Sequence, residues 1–217
     1  MKKLSWIFCC IFIINSATAQ NGYEKGNSTI NIGISPVAYN FGYSYYSNIY
    51  RNYSHLTFPA ISLGYQYGLH DFISIGGVLG YHGRKYVSEY DHIFGTDIYE
   101  DKYNYTLFAI VAEFHLINLL QQLNVDEASS FDNLDFYWGL GSGMLFYSWN
   151  EHDIWYQYNS KKGIYERKEK LDNHSRINAV FRSYLGLRYY FSNNIGVFLE
   201  TGYATFGYFT VGVSLKF

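Results

Sequence analysis

The sequence predicts an all-β fold, namely a transmembrane antiparallel up-and-down β-barrel of eight strands. The first observation is a period-two alternation of side chains, clearest over residues 208–217, which is typical of a strand with two unlike faces. The second is an alternation of short and long connections, which places the two kinds of turn on opposite rims. The third is the composition: 48% of the 217 residues are hydrophobic and 21% aromatic, but only 16% are charged, which excludes a disordered chain.

Residues 1–19 have the pattern of a secretory signal peptide. Lys2 and Lys3 precede an apolar run over residues 4–14, and Ala17-Thr18-Ala19 supplies the small-x-small cleavage pattern. The apolar run is too short to span a bilayer. Both cysteines, Cys9 and Cys10, lie in this segment, so residues 20–217 are expected to form one barrel domain without a disulfide.

The alternation predicts eight strands along the mature chain. Their connections at 69–71 and 192–194 are tight, whereas those at 36–58, 84–102 and 149–175 are long. A helical turn is predicted over 117–123, and residues 154–158 and 163–167 are predicted to form a hairpin that turns at 159–162. The predicted strands cover residues 28–35, 59–68, 72–83, 103–116, 134–148, 176–191, 195–204 and 207–217.

Alternation alone does not decide which face lies inside, because a soluble lipocalin-like barrel buries its apolar face and a membrane barrel turns it toward lipid. The polar face is rich in glycine and carries a few charges, which suits the narrow interior of an eight-stranded barrel. The aromatics of the apolar face gather near strand ends, as in the interfacial girdles of membrane barrels. These outward aromatics are Tyr67, Phe114, Phe136, Tyr189 and Phe217 at one rim and Tyr81, Phe146, Tyr203 and Phe209 at the other.

The last eight residues resemble the outer-membrane assembly signal. Thr210, Gly212, Leu215 and Phe217 match its polar residue, glycine, hydrophobic residue and terminal aromatic. A terminal strand with an unpaired edge suits capture by strand addition. The mature chain is similar to the small eight-stranded outer-membrane barrels of the OmpA and OmpX type in their single-domain form. The resemblance implies outer-membrane placement, with membrane lipid and the assembly machinery as partners, and it implies no particular activity.

Four charged residues fall on the polar face and are predicted to line the lumen: Glu113, Arg182, Arg188 and Glu200. The tight turn at 192–194 pairs Gly186 with Glu200, which places Arg188 diagonally beside Glu200 and predicts a salt bridge between them. Paired charges in a narrow lumen favour a plug, and a gated pore lined by the same charges is the alternative.

No catalytic, cofactor-binding or metal-binding residue is predicted, and the chain is not expected to be an enzyme. His174 and Ser175 are adjacent, so in a strand they point to opposite faces, which does not suit a lipid-modifying serine enzyme. A second group, near His92, has carboxylates that could bind a calcium-like cation, but their spacing shows no ordered set of ligands. The pattern therefore predicts an acidic exposed loop. Its carboxylates are Asp91, Asp97, Glu100 and Asp101.

The long connections predict a recognition surface. Seven aromatics lie between residues 39 and 53, and exposed tyrosines suit an extracellular protein or glycan partner. The net charge of −2 gives no footprint for nucleic acid. The leading hypothesis is a non-enzymatic outer-membrane barrel for surface interaction or envelope integrity, with a small solute pore and a lipid-modifying enzyme as alternatives.

Overall fold

The structure of the protein is a computed structural model that describes residues 23–36, 52–123, 133–203 and 207–217. The predicted signal peptide and most of the loop with seven aromatics lie outside the described residues. The described chain forms nine strands and one helix. They are β1 (Ser28–Ser35), β2 (Asn52–Thr57), β3 (Ala60–His70), β4 (Ile73–His92), β5 (Gly95–His115), α1 (Leu116–Gln122), β6 (Leu134–Asn159), β7 (Ile164–Tyr190), β8 (Ile195–Tyr203) and β9 (Thr210–Lys216).

Eight of these strands close into an antiparallel barrel. Each pairs with its neighbours in the order β1-β3-β4-β5-β6-β7-β8-β9, and β9 pairs back onto β1. The ninth strand, β2, pairs only with the far part of β4, where Thr57 lies opposite Arg84. The prediction of an eight-stranded up-and-down barrel is therefore confirmed.

The barrel has a polar interior and an apolar outer surface. In β9, Thr210 and Ser214 are buried while Val211 and Val213 are 42% and 43% exposed. The same alternation runs through β1, where Asn31 is buried and Ile34 is exposed. Apolar side chains that face outward around a polar lumen are the arrangement of a transmembrane barrel and the reverse of a soluble lipocalin-like one.

Two rings of exposed aromatics bound the apolar surface. The inner girdle lies at the rim of the short turns, and the outer girdle lies at the opposite rim; all eight side chains point outward. The inner girdle comprises Tyr67, Phe136, Tyr189 and Phe217, and the outer girdle comprises Tyr81, Phe146, Tyr203 and Phe209. Eight of the nine predicted aromatics thus form the expected interfacial belts, and the membrane-spanning segments lie between them. The ninth, Phe114, is only partly exposed and lies beside Trp138.

Two of the predicted long loops are strands instead, and the third, at 36–58, contains β2. Residues 84–102 and 149–175 extend β4, β5, β6 and β7, which reach 20, 21, 26 and 27 residues. Beyond the outer girdle they form a projecting sheet, made of residues 84–92, 95–103, 149–159 and 164–175 and flanked by β2. These segments are rich in tyrosine, isoleucine and tryptophan, which favour strands even where charged residues obscure the apolar alternation.

The two local predictions are confirmed. The hairpin turns between Asn159 and Ile164, so Gly163 lies in the turn rather than in the second strand as predicted, at φ +68°, a conformation that favours glycine. The helical turn is α1, which begins directly after β5 and buries Ile117. Among the described residues, no helix is both long and apolar enough to cross a membrane.

Glycines on the polar face make room for large lumen side chains. A Cβ atom on Gly139 would lie 2.2 Å from the ring of Tyr184, and one on Gly186 would lie 2.1 Å from the ring of Tyr137. Each tyrosine ring therefore occupies the space above a glycine on a neighbouring strand. This close approach explains why the narrow lumen combines glycine with bulky aromatics.

Candidate functional site

The inner part of the lumen is organised around Arg188 of β7. Its Nη1 donates to Asp135 Oδ2 at 2.7 Å, and its Nε donates to the Ser214 hydroxyl at 3.1 Å. Its Nη2 lies 3.5 Å from Glu113 Oε2, and the guanidinium stands over the ring of Tyr137. All these side chains are fully buried, so the arginine compensates two carboxylates that have lost their water.

Glu113 links this arginine to the far wall of the barrel. Its Oε1 accepts hydrogen bonds from the Tyr184 hydroxyl at 2.8 Å and from Gln66 Nε2 at 3.2 Å. A buried carboxylate that accepts several hydrogen bonds is far less costly than an isolated one. Glu113 is therefore a junction between β3, β5 and β7.

A second ion pair lies beside the first and joins Arg182 to Glu200 at 3.2 Å. The Tyr137 hydroxyl donates to the other oxygen of Glu200 at 3.0 Å, and the Arg182 guanidinium stands over Tyr184. The two aromatic rings thus connect both ion pairs. We call the set Glu113, Asp135, Tyr137, Arg182, Tyr184, Arg188 and Glu200 the lumen network.

The structure brings the four predicted lumen charges together but pairs them differently. The predicted salt bridge between Arg188 and Glu200 is wrong, because Arg188 binds Asp135 and Glu200 binds Arg182. The predicted pairing of Gly186 with Glu200 is correct, so Arg188 does sit diagonally to Glu200. Asp135, however, lies directly opposite Arg188 across β6 and β7, and a directly opposite partner is closer than a diagonal one.

Sequence reasoning missed a buried hydrogen-bonded triad at the inner end of the lumen. His115 Nδ1 lies 2.7 Å from Asp135 Oδ1 and His115 Nε2 lies 3.1 Å from Ser74 Oγ, which is the pattern of a serine hydrolase. All three are at most 1% exposed, and the ring of Tyr23 stacks on His115 at 3.4 Å between centroids. Side chains of the described residues enclose Ser74 almost completely, which favours a structural role for the triad.

The terminal strand places the four residues of the predicted assembly signal on two faces. Thr210 and Gly212 face the lumen, where Thr210 bonds Ser35 at 2.7 Å and Gly212 lies against the backbone of Ile32. Leu215 and Phe217 face outward. These positions give Gly212 a packing role, and recognition by the assembly machinery stays a prediction.

The group near His92 divides into separate ion pairs. His92 Nε2 lies 3.1 Å from Asp97, while Glu100 binds Lys85 at 2.8 Å and Lys102 at 2.7 Å. Hydrogen bonds from these two lysines lower the pKa of Glu100. The predicted acidic loop is therefore part of the projecting sheet, where basic side chains pair with Asp97 and Glu100, while Asp101 belongs to a separate row of carboxylates.

A row of carboxylates crosses the projecting sheet on the face that continues the lumen. Asp101 lies opposite Glu151, and Glu151 lies opposite Asp172, on three neighbouring strands. Burial, together with the charges of Glu151 and Asp153, raises the pKa of Asp101 to about 6. Like charges that stand directly opposite each other are destabilising in a sheet, so this row is a strained electrostatic feature.

The closed barrel, its apolar outer surface and its ion-paired lumen define a transmembrane β-barrel protein. No protein-family model matches the chain, and no curated protein matches it. Among solved structures, Ail, the attachment invasion locus protein of Yersinia pestis, in complex with the heparin analogue sucrose octasulfate, is 14% identical with a TM-score of 0.46. That match covers 89% of this chain and 99% of Ail.

A second similar structure is the N-terminal β-barrel domain of Pseudomonas aeruginosa OprF. It is 14% identical with a TM-score of 0.36, and the match covers 90% of this chain and all of that domain. Similarities at this level carry no inference about function. The fold class of this chain rests on its own strand pairing and on the distribution of its side chains.

Proposed function

We propose that the chain is an integral outer-membrane β-barrel protein, exported by a cleaved signal peptide, with a non-enzymatic role in surface interaction or envelope integrity. The observation that carries this proposal is the contrast between a lumen filled by buried side chains and a projecting sheet that extends far beyond the outer girdle. Buried side chains of the described residues fill the lumen, whereas the sheet offers a large contact surface. The proposal therefore assigns the function to the projecting sheet.

The filled lumen favours a plug over the small-pore alternative. The largest fully buried side chains include Tyr137, Tyr184, Arg188 and Tyr190, all of which point inward. Eight strands enclose a space just wide enough for side chains to fill. Removing one charge from a plug built of several side chains should leave the others in place.

Replacing Glu200 by glutamine tests the plug. We expect lower stability, because Arg182 loses its buried counter-charge, and we expect ionic current in planar bilayers to stay small. Folded and boiled samples compared on gels report the stability. The matched control is Glu169→Gln, which removes an exposed carboxylate from the same sheet. A large, stable rise in conductance with folding intact would replace the plug with a gated pore.

The tip of the projecting sheet carries the aromatic residues that suit recognition. Phe94 stacks on Tyr165 with centroids 3.7 Å apart, and Tyr158 lies beside the same ring at 5.2 Å. All three are exposed. Rigid aromatic side chains give a large contact area at low entropic cost, which supports a protein or glycan as the partner.

Shortening the hairpin tests the surface role. Replacing residues 153–170 with a two-residue turn removes the tip and leaves the membrane-spanning segments unchanged. We expect the shortened barrel to fold and to lose binding to arrays of extracellular proteins and glycans that the intact protein recognises. If intact and shortened proteins bound the same partners equally, the projecting hairpin would not be the recognition surface.

Replacing Phe217 by alanine tests the assembly signal. We expect export to continue and the amount of barrel in the outer membrane to fall several-fold, because insertion depends on recognition of the last strand. Fractionation of cells measures both. The control is Phe209→Ala, which removes an outward aromatic at the other girdle and leaves the chain end intact. Normal outer-membrane levels of the Phe217 variant would refute the prediction that the last strand is an assembly signal.

A further inference from the structure

Three metal-ligating side chains converge on the inner face of the projecting sheet. Glu151 of β6 and Asp172 of β7 are directly paired, and His174 lies two residues from Asp172 on the same face of its strand. Each offers a ligand atom, and these atoms lie within 4.8 Å of one another. We propose that Glu151, Asp172 and His174 bind a divalent transition-metal ion of the zinc type.

The donor set selects this class of ion. An imidazole nitrogen suits zinc and the late first-row metals, whereas calcium and magnesium prefer sites made of oxygen alone. Zinc binds nitrogen and carboxylate oxygen at about 2.0–2.2 Å, so tetrahedral ligands stand roughly 3.4 Å apart. Rotation of exposed or half-buried side chains closes the remaining distance, and water completes the coordination.

A neighbouring tryptophan orients two of the three ligands. Trp149 Nε1 donates to Glu151 Oε1 at 3.1 Å, and the indole stacks on the His174 ring with centroids 4.6 Å apart. Groups that hold ligands in place from outside the coordination shell are a general feature of metal sites. One ring therefore holds an imidazole and a carboxylate near each other, so that only small rotations are needed to bind an ion.

The local charge also favours a cation. Asp101 stands opposite Glu151 and adds a third carboxylate to the row, while Lys170 contacts Asp172 and supplies one positive charge. A divalent ion would relieve the repulsion between the directly opposed carboxylates. Lys170 competes for the same carboxylate, so it should weaken metal binding.

Isothermal titration of the detergent-folded, untagged protein with Zn²⁺ tests the proposal. We expect one site per chain and at least a tenfold loss of affinity in His174→Ala. The matched control is His152→Ala, which removes a histidine of the same hairpin on the opposite face, where it pairs with Glu169. Gel mobility of unboiled samples confirms that both variants are folded. Equal zinc affinity in the two variants would overturn the site.

Two further measurements distinguish a defined zinc site from nonspecific binding of cations to acidic side chains. Lys170→Met should strengthen zinc binding, because it removes the competing cation from Asp172. Co²⁺ should quench tryptophan fluorescence in the unmodified protein and not in His174→Ala. Weaker zinc binding in the lysine variant, or calcium binding as tight as zinc and unaffected by His174→Ala, would refute a zinc-type site.

Discussion

Replacing Arg188 by methionine is expected to destabilise the barrel by about 3–5 kcal/mol. The change keeps the apolar stem and removes the guanidinium that binds Asp135 at 2.7 Å and contacts Glu113. Both carboxylates would remain buried without their shared positive charge. Uncompensated buried charges are the reason why loss of one member of a buried ion pair is strongly destabilising. We expect it to be the largest effect of any single side chain in the lumen.

Urea unfolding of the barrel in detergent, followed by the gel-mobility difference between folded and boiled samples, measures this effect. The control is Arg167→Met, which removes an exposed arginine from the same strand, 3.8 Å from Glu169. Exposed ion pairs contribute about 0–1 kcal/mol, so this variant should unfold close to the unmodified protein. If the two variants were equally stable, Arg188 would not hold the lumen network together.

Replacing Val213 by arginine is expected to destabilise the barrel by about 2–4 kcal/mol. Val213 points outward from β9, four residues from the aromatic girdle residue on either side, Phe209 and Phe217, and so lies near the middle of the apolar surface. An arginine there faces the hydrocarbon core, where the penalty for a charge is greatest. Refolding yield into lipid vesicles and the same gel assay report the loss.

The control for Val213 is Leu171→Arg. Leu171 is also an outward apolar residue of a strand and is 61% exposed, but it lies in the projecting sheet, beyond the outer girdle. An arginine there meets water and should change stability little. The adjacent residue Ser214, which faces the lumen, is unsuitable as a control because it is buried and donates a hydrogen bond to Asn31 at 2.6 Å. Equal destabilisation by both arginines would place the membrane boundary elsewhere.

The alternation of side chains predicted the membrane-spanning part of the fold well. β1 has its predicted bounds, and β8 ends within one residue of its prediction. The pattern failed beyond the outer girdle, where residues 99–103 carry charges on both faces, with Asp101 on one face and Glu100 and Lys102 on the other. A strand surrounded by water needs no apolar face. Its sequence therefore shows a preference for strand-forming residues but no alternation of apolar and polar side chains.

The candidate site shows a similar division. The face of each lumen charge follows from counting along one strand, and all four predicted residues are buried inside. Their partners depend on the register between strands that are far apart in sequence, as with Asp135 and Arg188, which are 53 residues apart. The sequence predicts the hairpin at 154–167 as part of a long loop separate from the barrel strands, so it gives no register between Asp135 and Arg188.

The unequal strand lengths leave the projecting sheet with an open side. β8 pairs with β7 only from Ser183 to Tyr190, and among the described strands no other covers that edge of β7. Such an edge is a template on which crowded copies of a protein can aggregate. Lysines and acidic residues follow one another along this stretch, from Lys168 to Asp172, so an incoming strand would have to desolvate charge at nearly every position. Since no neighbouring strand of the described chain covers this edge, its charged side chains are the feature that opposes edge-to-edge pairing.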